Sequence, residues 1–199
     1  MTQDRPYTKL VSIACHDLVN PLATVHGFAR TLEGLELDAP AGRYVEMIRL
    51  AGEQLRDLIE QLRIATLIEA GRYAPALVEV DSLELAQGAA EALGEERVTV
   101  SGEGSVVMVD PDPVRRAVAQ LVRAALRYGG QDSVDVVVRG PELAVSPLGR
   151  AAGPVVLGER FDELGGPAAA MLIRALGGSL AAEDERLVVR LPEPGPSPS

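Results

Sequence analysis

Apolar residues recur every three or four positions from about residue 7 to residue 34. A helix advancing roughly 100° per residue gathers Leu10, Val11, Ala14, Leu18, Leu22, Val25, Phe28, Ala29 and Leu32 into one stripe. The pattern breaks at Leu37, Asp38, Ala39 and Pro40 and resumes to about residue 70. There Tyr44, Ile48, Ala51, Leu55, Leu58, Ile59, Leu62 and Leu67 recur at helical spacing while Arg49, Glu53, Arg56, Glu60 and Arg63 fill the other face. The spacing predicts a helical hairpin with the charges as its solvated side. Two helices of roughly 28 residues cannot cover both stripes against each other, so a second copy completing a four-helix bundle is the expected closure. Packing of the hairpin on the chain's own C-terminal part is the alternative.

After Gly71-Arg72-Tyr73-Ala74-Pro75 the period changes to short apolar runs separated by turns. These predict strands near residues 77–80, 98–101, 106–110, 134–139, 142–146, 179–182 and 187–191, and helices near 82–93, 113–128 and 167–176. The expected fold class is α+β: a dimerising hairpin over residues 1–72, then an α/β sandwich over residues 73–192. Residues 193–199 form a Pro-rich tail too poor in apolar side chains to pack, and disorder is expected there.

Composition narrows the function classes. Of the 199 residues 47% are hydrophobic, enough for a packed core. No stretch approaches the ~20 consecutive apolar residues of a membrane span, and residues 1–6 are polar, so neither a span nor a signal peptide is expected. The single cysteine, Cys15, rules out an internal disulfide and a cysteine zinc site and fits a reducing, cytoplasmic compartment. A formal charge of −10 argues against nucleic acid as a partner, because that surface needs clustered Lys and Arg.

On the first helix His16 falls on the polar side, opposite the stripe, with Lys9, Asn20 and Gly27 within about 40° of it. That placement fits poorly with a hydrogen-bonded core histidine. His26 falls near the edge of the stripe as a packing or surface residue, and Cys15 reads as a small buried thiol. The run Cys15-His16-Asp17-Leu18-Val19-Asn20-Pro21-Leu22, followed by Gly27-Phe28, resembles the phospho-acceptor box of bacterial histidine kinases. In the second half, Val109-Asp110-Pro111-Asp112 before a helix and Leu176-Gly177-Gly178-Ser179 before a terminal hairpin resemble the kinase ATP-binding domain.

The likeness fails at the nucleotide boxes. Where the family carries Asn-Leu-x-x-Asn-Ala, whose second asparagine holds Mg²⁺, the chain reads Gln120-Leu121-Val122-Arg123-Ala124-Ala125, and an alanine methyl cannot ligate a hard cation. Where the family has Val-Ser-Asp-x-Gly-x-Gly, it reads Val145-Ser146-Pro147-Leu148-Gly149-Arg150-Ala151, with proline in place of the adenine-binding carboxylate. The family's last glycine box aligns with Glu163-Leu164-Gly165-Gly166, and only 15 residues separate Gly149 from Gly165, little for an ATP lid.

An acceptor box without an ATP site is similar to the dimeric histidine phosphotransferases of bacterial phosphorelays. The resemblance implies a chain that binds no cofactor itself and passes phosphoryl groups between receiver-domain aspartates. His16 would be the nucleophile, Asp17 would set its tautomer, and Asn20 would lie within reach of the phosphoryl group or a water. Mg²⁺ would arrive with the receiver. The implied partners are response-regulator receiver domains, a hybrid histidine kinase and a second copy of the chain, with Ile13, Thr24 and Gly27 as candidate docking positions and Lys9 and Arg30 as flanking charges. Pro21 should bend the helix just past the acceptor. A divergent active kinase and a non-catalytic scaffold binding a kinase or receiver remain as alternatives.

Overall fold

A computed structural model describes residues 6–34, 39–93, 97–160 and 162–195. For residues 6–10, 12–14, 16, 17, 20, 21, 33 and 39 it describes the helix alone. The tail beyond residue 195, and with it most of the expected disorder, lies outside the described residues. The chain divides into two compact units, Met1–Arg72 and Tyr73–Ser199.

The first unit is a hairpin of α1 (Pro6–Glu33) and α2 (Ala39–Glu69). Helical backbone runs unbroken through Pro21. In α2 the break expected at residues 37–40 is shorter: Ala39 and Pro40 open the helix, where proline's fixed φ suits the first turn and its missing N–H costs nothing. Every seventh residue faces the partner helix. Cys15 and Ala29 on α1 and Val45 on α2 are buried, and Gly52 lies against Leu22 and His26. Much of the apolar stripe is uncovered: Leu18, Val25, Phe28 and Leu32 on α1 and Tyr44, Ile48, Leu55 and Leu58 on α2 are exposed, Phe28 at 67%. Leu18, Val25 and Leu32 are seven residues apart, as are Ile48 and Leu55, the repeat of a helical bundle seam.

The second unit is an α/β sandwich. Strands β1 (Val78–Asp81) and β3 (Val106–Val109) pair antiparallel. Strands β2 (Val98–Gly104), β4 (Val134–Gly140), β5 (Glu142–Ser146), β6 (Ser179–Glu183) and β7 (Arg186–Arg190) form a mixed sheet in the order β2-β4-β5-β7-β6, parallel only between β2 and β4. Alternation along the strands sends Val136, Val138, Leu143, Val145, Leu187 and Val189 into the core. Helices α3 (Ser82–Glu91), α4 (Pro111–Gly129), α5 (Gly153–Val156) and α6 (Gly165–Ala175) make the second layer.

Local chemistry fixes the joints. Asp81 caps α3, its Oδ1 accepting from the Leu83 N–H at 2.7 Å. The buried Ser82 hydroxyl donates to the Gly140 carbonyl at 2.6 Å and accepts from the Ser105 N–H at 3.1 Å, tying α3 to the β4–β5 turn. Gly102, at φ 111°, lets β2 approach β4 so closely that a Cβ there would stand 2.0 Å from the Val138 carbonyl oxygen.

Candidate functional site

α1 carries the whole expected acceptor box. His16, Asp17 and Asn20 lie on consecutive turns of this helix, His16 and Asn20 four residues and one turn apart; their side chains, and those of Lys9 and Ile13, are outside the described residues. Cys15, next to His16 in sequence, is 1% exposed. Burial pushes its thiol pKa up, opposed in part by the Arg63 guanidinium and reinforced by Glu60. The thiol is therefore neutral packing beside the histidine rather than a second nucleophile.

Further along α1 a groove of about 300 Å³ opens between the two helices. Val19, Leu22, His26 and Arg30 line it from α1 and Gly52 and Arg56 from α2. Gly27, an expected docking position, also lines it, and Thr24 is exposed nearby on the same helix. His26 stands at the wall of this groove, half-buried, its Nδ1 buried and without a hydrogen-bond partner among the described residues. Sequence spacing relates His26 to Arg30 as i,i+4, but Gly52 and Arg56 reach them only through the fold of the hairpin.

The α/β unit brings together the three segments aligned with the nucleotide boxes, and it packs them against one another. Ala124 is fully buried on α4. Gln120, one turn earlier, lies against the start of α6, where a Cβ on Gly165 would come within 2.6 Å of its Oε1. Gly149 meets the end of α4 so tightly that a Cβ would stand 2.6 Å from Gly129 Cα. The segment between the glycine runs folds into α5, and Ala152, Val155 and Val156 there are fully buried. Glu163 Oε1 accepts from the Gly166 N–H at 3.2 Å, so a carboxylate of this chain occupies the opening of α6. Among the described residues no group of His, Cys, Asp and Glu is placed to hold a metal.

Residues 7–71 match HisKA, the His Kinase A phospho-acceptor domain, and His16 lies inside that match. A crystal structure of full-length ShkA in complex with AMPPNP is similar over 91% of this chain, with TM-score 0.60 and 20% identity, and the chain spans 44% of its length. The histidine kinase AdeS of Acinetobacter baumannii is similar over 90% of this chain and 98% of its own, with TM-score 0.58 and 15% identity. In fold the chain is histidine kinase-like, a hairpin that matches the phospho-acceptor domain followed by an α/β domain of the kinase type. The second unit also resembles the ATP binding domain of PrrB from Mycobacterium tuberculosis, which covers 60% of this chain and 99% of that one at TM-score 0.50 and 26% identity. Among curated proteins none matches the sequence. Among the described residues no helix is long and apolar enough to cross a membrane.

Proposed function

We propose that this histidine kinase-like chain is a histidine phosphotransferase of a phosphorelay, passing phosphoryl groups between receiver-domain aspartates through His16 without binding ATP. The observation that carries this reading is the contrast between its halves. The acceptor hairpin matches its family over residues 7–71, while α4, α5 and α6 fill the nucleotide region with Gln120, Ala124, Val155 and Val156.

In the proposed step a ring nitrogen of neutral His16 attacks the phosphorus of an aspartyl phosphate. The N–P bond forms as the P–O bond to the aspartate breaks, and the carboxylate leaves with the electron pair. Asp17 is assigned to hold the other ring nitrogen's proton, fixing the tautomer and making the attacking nitrogen more basic. Asn20, one turn on, is assigned to the phosphoryl group or to a water that would hydrolyse it. Mg²⁺ belongs to the receiver's carboxylate pocket. A homodimer and a cytoplasmic setting complete the proposal. The uncovered seam of Leu18, Val25, Leu32, Ile48 and Leu55 supports the dimer, because an exposed apolar stripe of this kind gains roughly 25 cal/mol for each Å² it buries.

The likeness of the second unit to the ATP binding domain of PrrB favours a second reading, a divergent autokinase. One assay separates them: labelled ATP in one lane and phosphorylated receiver domains in the other, each repeated with His16→Ala. Label that reaches His16 from receivers and not from ATP establishes the phosphotransferase. Label from ATP establishes the kinase. A chain that takes label from neither, yet still binds receivers, is a scaffold.

A further inference from the structure

We infer that the groove between α1 and α2 is a binding site for a small aliphatic dicarboxylate, one carboxylate held by His26 and Arg30 and the other by Arg56. Such a site is independent of the phosphotransfer reading and stands or falls by its own measurement.

The two helices run antiparallel, and this sets the order of chemical groups along the groove. Gly52 lies against both Leu22 and His26 and so stands level with the turn between them. One turn past His26 on α1 comes Arg30, and one turn past Gly52 on α2, in the opposite direction, comes Arg56. A guanidinium therefore marks each end. From the level between His26 and Arg30 to the level of Arg56 the helix rises by about 12 Å. The floor between them is apolar, formed by Leu22, Ala23 and Gly52. In a chain of formal charge −10, no residue lining this groove is acidic.

The polar groups of the groove lack partners in the chain itself. Elsewhere on α2, Arg49 pairs with Glu46 at 2.8 Å and Glu53 at 2.7 Å, and Arg63 pairs with Glu60 at 2.7 Å. Arg30 and Arg56 form no ion pair among the described residues. His26 Nδ1 is buried with its hydrogen bond unmade, although buried polar atoms are nearly always paired. It faces the gap left by the missing side chain of Gly52, where a Cβ would lie 3.9 Å away. With its proton on Nδ1, the neutral ring donates to a carboxylate oxygen placed in that gap.

Two cationic ends and an apolar middle define the ligand. A monocarboxylate leaves one guanidinium unpaired, and a hydroxylated linker would lose its water over Leu22 and Ala23 without gaining a partner. The volume of about 300 Å³ lies at the low end for small-molecule sites, which suits a short methylene chain rather than a lipid.

The test is calorimetry on the full chain at low salt with four probes: succinate, suberate, octanoate and octane-1,8-diol. Suberate is expected to bind about tenfold more tightly than octanoate, which offers one charge, and than succinate, which is too short to reach both ends. The uncharged diol is expected to bind more weakly still. Arg56→Gln is expected to bring suberate to within about twofold of octanoate, because only the second carboxylate loses its partner. His26→Phe is expected to weaken suberate and octanoate alike, by several-fold. Gly52→Leu fills the gap and is expected to abolish binding of both acids while circular dichroism shows a folded hairpin. Suberate that binds no better than octanoate, or whose advantage survives Arg56→Gln, overturns the inference. So does binding that persists in folded Gly52→Leu, which would place the methylene chain on the uncovered seam of Leu18, Val25 and Leu32, and so does the absence of suberate binding at millimolar concentration.

Discussion

Ala124 decides what restoring a single side chain could achieve. It is fully buried on α4, in a helix layer closed by α6, so an asparagine there would bring a larger, polar group into a space with neither room nor partner. Ala124→Asn is expected to destabilise the second unit by about 2–4 kcal/mol and to gain no ATP-Mg²⁺ binding by calorimetry. Binding gained by that change alone would mean that the site lacked only its metal ligand. At this scale the sequence was informative where chemistry is local. The proposed acceptor His16, its acidic neighbour and the asparagine one turn on sit within five consecutive residues, and the departures from the family's boxes are visible by inspection. His26 was not legible as a groove residue, because what makes it one is Gly52 and Arg56 on the other helix. Cys15 was legible, since a small apolar side chain at a stripe position needs only the partner helix to bury it.

Elements were readable to the extent that they repeat. The helical period of the hairpin and the alternation in β4, β5 and β7 gave elements that the structure reproduces within one to three residues at their ends. The short α5 was not foreseen, for Gly153-Pro154-Val155-Val156 is a single turn, too brief for any period, and forms because its valines complete the packing between α4 and α6. Within α2 the glycine at residue 52 is a weak point. A Cβ added there would lie 3.9 Å from His26 Nδ1 and from Leu22 Cδ1, ordinary contact distances. Gly52→Ala is therefore expected to raise the stability of the hairpin by about 1 kcal/mol, read as a higher melting temperature, because alanine loses less backbone entropy in a helix. A lower melting temperature would show that the two helices must approach more closely than their contacts indicate.

The whole molecule depends on what covers the seam of the hairpin. Leu55 is 52% exposed in a single copy, so an aspartate there costs the lone hairpin little and the bundle a great deal. Leu55→Asp is expected to give a folded monomer in sedimentation equilibrium and the wild type a dimer; a dimer that survives the change would place the interface elsewhere. The proposed loss of nucleotide binding would have a different consequence, one of supply. A domain that binds a nucleotide gains stability as that nucleotide accumulates, so its folded fraction follows the energy state of the cell. In this chain Gln120 lies against Gly165, and the buried side chains of Val155 and Val156 close the same layer from within. On the proposed reading, in which no nucleotide binds, its α/β fold draws on no nucleotide, and a starved cell would hold the same amount of the folded domain as a fed one.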